Sequence, residues 1–186
     1  MSNTGKLELI IGPMFSGKSS ELIKKIRILK VINSQFIIIK PSIDTRYELN
    51  RIASHNKESE ECIVTSDILS ITDTDINKYN TIIIDEGQFI TNLKIKVLYW
   101  VEKLNKHVII GGLDGDFQRN PIGEILELIP YADNYKKLKA VCKHCNDGTP
   151  GIFSHRILND SNQILIGTND MYIPLCRKHY LKATAL

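Results

Sequence analysis

Short apolar runs alternate with amphipathic stretches along most of this chain. Leu7-Glu8-Leu9-Ile10-Ile11, Phe36-Ile37-Ile38-Ile39, Thr81-Ile82-Ile83-Ile84 and Val108-Ile109-Ile110 are too short for buried helices. They are also too continuous for strands with one wet face, so they predict four strands covered on both sides. Leu22, Ile23, Ile26 and Leu29 recur at helical spacing with Lys24, Lys25, Arg27 and Lys30 turned away, and Leu93, Val97, Trp100, Val101 and Leu104 mark one face of a second helix. A further helix is expected over 122–129, stopped by Pro130, with a strand over 136–141 after it. Strands alternating with helices predict an α/β fold, a parallel sheet with helices on both faces. Residues 41–80 show no clear period, and the polar cluster at 54–61 reads as a solvated loop. From Cys142 onward Asn, Asp, Gly and Pro replace the long apolar runs, which divides the chain into a main domain over 1–141 and a small annex over 142–186.

The 186 residues suffice for one ordinary core and such an annex. No apolar stretch approaches the roughly 20 residues of a membrane span, and the N-terminus lacks a signal-peptide core. The expected compartment is therefore cytoplasmic, with no membrane partner. A net charge of +3 falls short of a nucleic-acid footprint, so no nucleic-acid partner is expected. Lys136, Lys137, Lys139 and Lys143 form the one candidate patch, and a solvated face explains them equally well.

Gly12-Pro13-Met14-Phe15-Ser16-Gly17-Lys18-Ser19 is a complete phosphate-binding loop, and it stands where such a loop works, after a buried strand and before a helix. Its backbone N–H groups and the helix N-terminus face phosphate oxygens, Lys18 neutralises the β- and γ-phosphates of ATP, and the Ser19 hydroxyl is placed to ligate Mg²⁺. The strand ending in Asp85-Glu86 is its usual companion, with Asp85 expected to hold the Mg²⁺ and Glu86 free to accept a proton from an attacking hydroxyl or water. Asp44 and Arg46 follow the second strand, where Arg46 could neutralise the transferred phosphoryl group and Asp44 assist the metal or its waters.

Cys142-Lys143-His144-Cys145 and Cys176-Arg177-Lys178-His179 each place two ligand-type residues three apart, as two knuckles closing one tetrahedral Cys₃His site do. Four protein ligands leave no open position, so one structural Zn²⁺ per chain is expected. His144 is a rival fourth ligand, and knuckle spacing favours His179.

Together these residues resemble the type II (cytosolic-type) thymidine kinases over almost the whole chain. The likeness is carried by residues 12–19, Asp44-Thr45-Arg46-Tyr47, Asp85-Glu86-Gly87-Gln88-Phe89, Leu113-Asp114-Gly115, Phe117-Gln118-Arg119, Ala140-Val141-Cys142 with Cys145, and Cys176-Arg177. The resemblance implies a P-loop, RecA-like sheet, a zinc-binding lasso domain and a homotetramer. It implies phosphoryl transfer from ATP to the 5′-hydroxyl of thymidine, with deoxyuridine as a possible second acceptor, in salvage of DNA precursors. Glu86 matches the general base. Met14, Phe89, Leu113 and Phe117 match the nucleoside pocket. Gln163, Ile164, Leu165, Ile166, Gly167 and Tyr172 match the lasso that holds the base. Thymidine triphosphate is the feedback inhibitor the resemblance implies. Ser154 stands where threonine is frequent, Thr168 where a second glycine is common, and His179 where cysteine is frequent. The polar segment 146–161 is expected to be mobile until a nucleoside orders it. A DNA-linked ATPase using Glu86 to activate water, or a zinc-knuckle nucleic-acid binder, are the alternatives; small size, mild charge and no basic–aromatic alternation argue against the first, and the second rests on the lysine patch that a solvated face explains equally well.

Overall fold

The computed structural model describes residues 4–43, 62–158, 162–163 and 171–185. Asp44, Arg46 and residues 164–167 lie outside them, as does the polar stretch at 54–61. Within the main domain, strands β1 (Lys6–Gly12), β2 (Phe36–Pro41), β3 (Cys62–Thr65), β4 (Thr81–Ile84), β5 (His107–Leu113) and β6 (Asn134–Lys137) pair in parallel in the order β3-β2-β4-β5-β1-β6. The helices are α1 (Lys18–Val31), α2 (Asp73–Ile76) and α3 (Leu93–Glu102).

The two-residue period of the strands sorts their side chains between two cores. Leu7, Leu9, Ile11, Ile37, Ile39, Ile82, Ile84, Val108 and Ile110 share one cluster with Leu93, Val97 and Trp100 of α3. Ile10, Ile38, Ile83 and Ile109 share the other with Leu22, Ile26 and Leu29 of α1. Helices therefore cover both faces, as the continuous apolar runs require. Helix α1 lies so close to β5 that a Cβ on Gly111 would meet Leu22 Cδ1 at 2.7 Å.

Two expectations are corrected. The helix over 122–129 is instead a 3₁₀ segment, Ile125–Tyr131, which runs through Pro130. Proline stops an α-helix by lacking an N–H and clashing one turn back; this segment bonds three residues back instead, and at its ends Glu127 N–H donates to Glu124 O and Ala132 N–H to Ile129 O. The single strand over 136–141 is two, β6 at the sheet edge and β7 (Ala140–Val141) outside that sheet. The segment 146–161 contributes β8 (Pro150–Gly151) and β9 (Phe153–Arg156), which pair with β7 and with β10 (Tyr172–Leu175). Much of it is thus built into hairpins, its backbone bonded across strands, and residues 159–161 lie outside the described ones. The annex closes with α4 (Arg177–Thr184) around a core of Cys142, Leu175, Cys176 and Tyr180.

A charged group interrupts the apolar β1. Glu8 is 4% exposed and accepts Lys25 Nζ and Lys6 Nζ, each at 2.7 Å, and His107 Nε2 at 3.0 Å. Burial opposes its ionisation, but the two ammonium groups outweigh that and bring its carboxyl down to about 2. Burial also pushes the His107 imidazole down, so the neutral ring donates its Nε2 proton to Glu8 near neutral pH. Because the folded carboxyl titrates below its ordinary 4.5, its contribution is complete above that pH and is lost as pH falls toward about 2. With both lysines partly exposed and screened, about 2 kcal/mol is at stake. Denaturant titrations should show Glu8→Gln trailing the native protein by that amount at pH 6 and converging with it near pH 2; parallel curves would overturn the assignment.

Candidate active site

The phosphate loop needs its two glycines for different reasons, one conformational and one steric. Gly17 caps α1 in the left-handed region, at φ 84° and ψ 21°, which glycine adopts at little cost. A Cβ on Gly12 would lie 2.7 Å from Leu138 O, so the loop sits directly on the chain beyond β6. Lys18 is 8% exposed and its Nζ donates to Pro13 O at 2.9 Å, which holds the ammonium across the loop. Ser16 Oγ is buried without a hydrogen-bond partner among the described residues, as suits an atom that would meet a phosphate oxygen.

One strand, β5, separates β1 from the acid-bearing β4. Asp85, buried just past the end of β4, crosses that gap where β5 carries Gly111: its Oδ1 would be 3.5 Å from a Cβ there. The same oxygen accepts the Glu86 N–H at 3.0 Å. Glu86 itself occupies the left-handed region, at φ 48° and ψ 44°. That conformation costs a non-glycine residue about 1 kcal/mol or more, a strain characteristic of functional positions.

A single cavity gathers these parts. Met14, Phe15, Gly17, Lys18 and Ser19 line it from the loop, Glu86 and Phe89 from beyond β4, Leu113 from the end of β5, and Asp116, Phe117 and Ile122 from the chain after it. Ser154, Gln163 and Tyr172 close it from the annex. Gly12, Pro13, Ser16 and Asp85 are not on its wall. The expected contributions of Asp44, Arg46, Ile164, Leu165, Ile166 and Gly167 lie outside the described residues.

Several residues that shape this cavity left no mark in the sequence reading. Asp116, 6% exposed, accepts the N–H groups of Gln118 at 2.8 Å and Asn120 at 2.7 Å, and Gln163 Nε2 at 3.1 Å. An Asp followed by Asn four residues later in a Gly- and Pro-bearing stretch is a turn signal that could have revealed it. Arg156, 5% exposed, lies over the Phe117 ring at 3.9 Å from its centroid. It donates to Tyr172 Oη through Nε at 3.0 Å and Nη2 at 2.6 Å, and to the carbonyls of Asn162 and Gln163. A lone arginine in a polar tract gives no such warning. Two further bonds tie the annex to the main domain at the cavity: Met14 N–H donates to Ser154 Oγ at 2.9 Å, and Tyr180 Oη donates to Phe117 O at 2.7 Å.

The knuckles close as their spacing predicts. Ligand atoms of Cys142, Cys145, Cys176 and His179 all lie within 4.8 Å of one another. His179 Nδ1 is 3.5, 3.3 and 3.4 Å from the three sulfurs, and the sulfurs of Cys145 and Cys176 are 3.7 Å apart. A tetrahedron with Zn–S of about 2.3 Å and Zn–N of about 2.0–2.1 Å has edges of roughly 3.6 and 3.8 Å, so the set fits zinc. Burial resists ionisation of Cys142, but the Cys176 N–H, donated at 3.2 Å, and His179 prevail and bring the thiol down to about 6. His144 is exposed and stands edge-on to His179, with ring centroids 5.5 Å apart, outside the ligand set.

Residues 5–180 match the family model described as thymidine kinase. The chain is 42% identical over 178 residues to a thymidine kinase of Mycoplasma mobile, covering 96% of this chain and 88% of that protein. It is 38% identical over 179 residues to the thymidine kinase of Vaccinia virus strain Western Reserve, with 96% and 98% covered. A thymidine kinase of Oryza sativa subsp. japonica shares 34% over 185 residues, with 97% and 68% covered.

Proposed function

The chain belongs to the thymidine kinase family, and from that membership we propose that it transfers the γ-phosphoryl group of ATP to the 5′-hydroxyl of thymidine, giving thymidine monophosphate and ADP. The observation that carries this reading is the shared cavity: Lys18 and Ser19 of the phosphate loop, the Glu86 carboxylate and the apolar surfaces of Phe89, Leu113 and Phe117 face one space. That is what an in-line transfer between two bound substrates needs.

In this reading the loop amides and Lys18 hold the β- and γ-phosphates, and Glu86 accepts the 5′-hydroxyl proton as oxygen attacks phosphorus. Ser19 and Asp85 are hard oxygen donors suited to Mg²⁺, which when bound would offset phosphate charge. Met14, Phe89, Leu113 and Phe117 bound the thymine, with Gln163, Tyr172 and residues 164–167 over it; Asp44 and Arg46 assist at the phosphates. The pocket discriminates the C5-methyl from hydrogen by only about 1–3 kcal/mol, so deoxyuridine should be a poorer acceptor rather than an excluded one. Zinc is the metal proposed for the Cys₃His cluster. A homotetramer, a cytoplasmic role in salvage of DNA precursors and feedback inhibition by thymidine triphosphate complete the proposal.

The test is to incubate the protein with ATP, Mg²⁺ and thymidine and to look for thymidine monophosphate. ADP release that ignores thymidine would replace this reading with an ATPase. Lys18→Ala should lower turnover by roughly 10²-fold or more, because the lysine meets charge that grows in the transition state. Undiminished activity in that variant would remove the loop from the mechanism.

A further inference from the structure

Gln88 is the least exposed polar side chain next to the proposed base. It is 3% exposed, follows Glu86 by two residues and is absent from the cavity wall. Its amide is committed at both ends. Leu113 N–H donates to Oε1 at 3.0 Å, and Nε2 donates to Glu86 Oε2 at 2.6 Å. An N–H can only donate, so Leu113 fixes which end of the amide is oxygen and thereby turns the NH₂ toward the carboxylate.

The fold makes room for this side chain at Gly112, where a Cβ would lie 2.5 Å from Gln88 Oε1. Gly123 packs instead on the backbone of the same residue, where a Cβ would lie 2.2 Å from the Gln88 carbonyl oxygen. Glu86, meanwhile, sits in a strained backbone conformation from which a flexible carboxylate has several rotamers to choose. A neutral donor fixed by the sheet selects one of them and keeps the carboxylate able to take a proton.

We propose that Gln88 is a positioning residue for Glu86: its amide, oriented by the Leu113 backbone, holds the carboxylate aimed at the acceptor hydroxyl. The inference rests on Glu86 being the base in the reading above. It adds that the strand carrying the pocket residue Leu113 also sets the aim of the base.

A double-mutant cycle between Gln88→Met and Glu86→Gln tests it. Methionine has nearly the same shape and no amide. Alone it should lower kcat about 10-fold or more, within the range ascribed to a well-placed base, while the KM for ATP changes less than about twofold. In the Glu86→Gln background it should lower turnover no further, because the two residues act as one unit. Equal losses in both backgrounds, or an unchanged kcat in the single variant, would overturn the proposal. Normal turnover in Glu86→Gln alone would instead sink the base assignment itself, so the two failures are told apart. Gln88→Glu keeps the acceptor for Leu113 and guards against a misfolded methionine variant. It sets two carboxylates together, so its turnover should recover as pH is lowered and the pair shares one proton; a pH profile unchanged from the native one would count against the proposal.

Discussion

Replacing Glu86 with glutamine is expected to cut turnover by roughly 10²-fold or more while both substrates still bind, since a positioned base typically contributes about 10²–10⁴. The substitution keeps size and polarity, and the Gln88 amide can still donate to the new side-chain oxygen. The substitution leaves the sequence of the phosphate loop, which brings Lys18 and Ser19 to the same cavity, untouched. The loss should therefore appear in kcat, with calorimetric affinities for ATP and thymidine altered by less than about threefold, a shift of well under 1 kcal/mol. Turnover near the native rate would show that the proton leaves by another route, and weakened ATP binding would mean that the backbone at Glu86 had moved.

The second large effect concerns the metal. Purified protein is expected to carry about one zinc per chain, and Cys176→Ser should lower metal affinity by more than the roughly 10–100-fold seen for outer partners of a metal site. The annex has little else to hold it: two of the four residues in its buried core are themselves ligands. Ser154, Tyr172 and Tyr180 all belong to it, so thymidine binding should fail with the metal while the sheet persists. Trp100, the single tryptophan, is fully buried in the core beneath α3 and reports on the main domain alone. Chelation should leave its fluorescence native and abolish nucleoside binding. Loss of both signals together would show that the two parts unfold as one; intact binding without metal would refute the structural role.

The sheet was legible because strands buried on both faces must be continuously apolar, and β1, β2, β4 and β5 are. The elements that escaped are those whose stability comes from elsewhere. All four residues of β6 are exposed, and its pairing with β1 has no hydrophobic signature. Strand β3 and helix α2 are four residues each, too short for a period to show. In the site, residues defined by chemistry at fixed spacing were readable: the loop, the Asp85-Glu86 pair, the Cys and His ligands. Asp116, Arg156, Gln88 and Tyr180 were not, because each has a partner 16 to 63 residues away, such as Arg156 with Tyr172 and Tyr180 with Phe117. A buried hydrogen bond of that kind is a property of the folded chain and leaves no local pattern.

The bond from Met14 N–H to Ser154 Oγ gives the molecule a thermodynamic reciprocity. Met14 and Ser154 both line the cavity; in the proposed reading the first belongs to the loop over the phosphates and the second to the wall against the nucleoside. A phosphate that shifts the loop by a few tenths of an ångström must stretch or tighten that bond, and so bias the nucleoside wall. Linkage then obliges the nucleoside to alter nucleotide affinity by the same factor, whichever substrate arrives first. Titrating each ligand in the presence and absence of the other should return two equal ratios different from one, and Ser154→Ala should bring both toward unity. If the ratios are already one in the native protein, donor and acceptor are blind to each other until the moment of transfer.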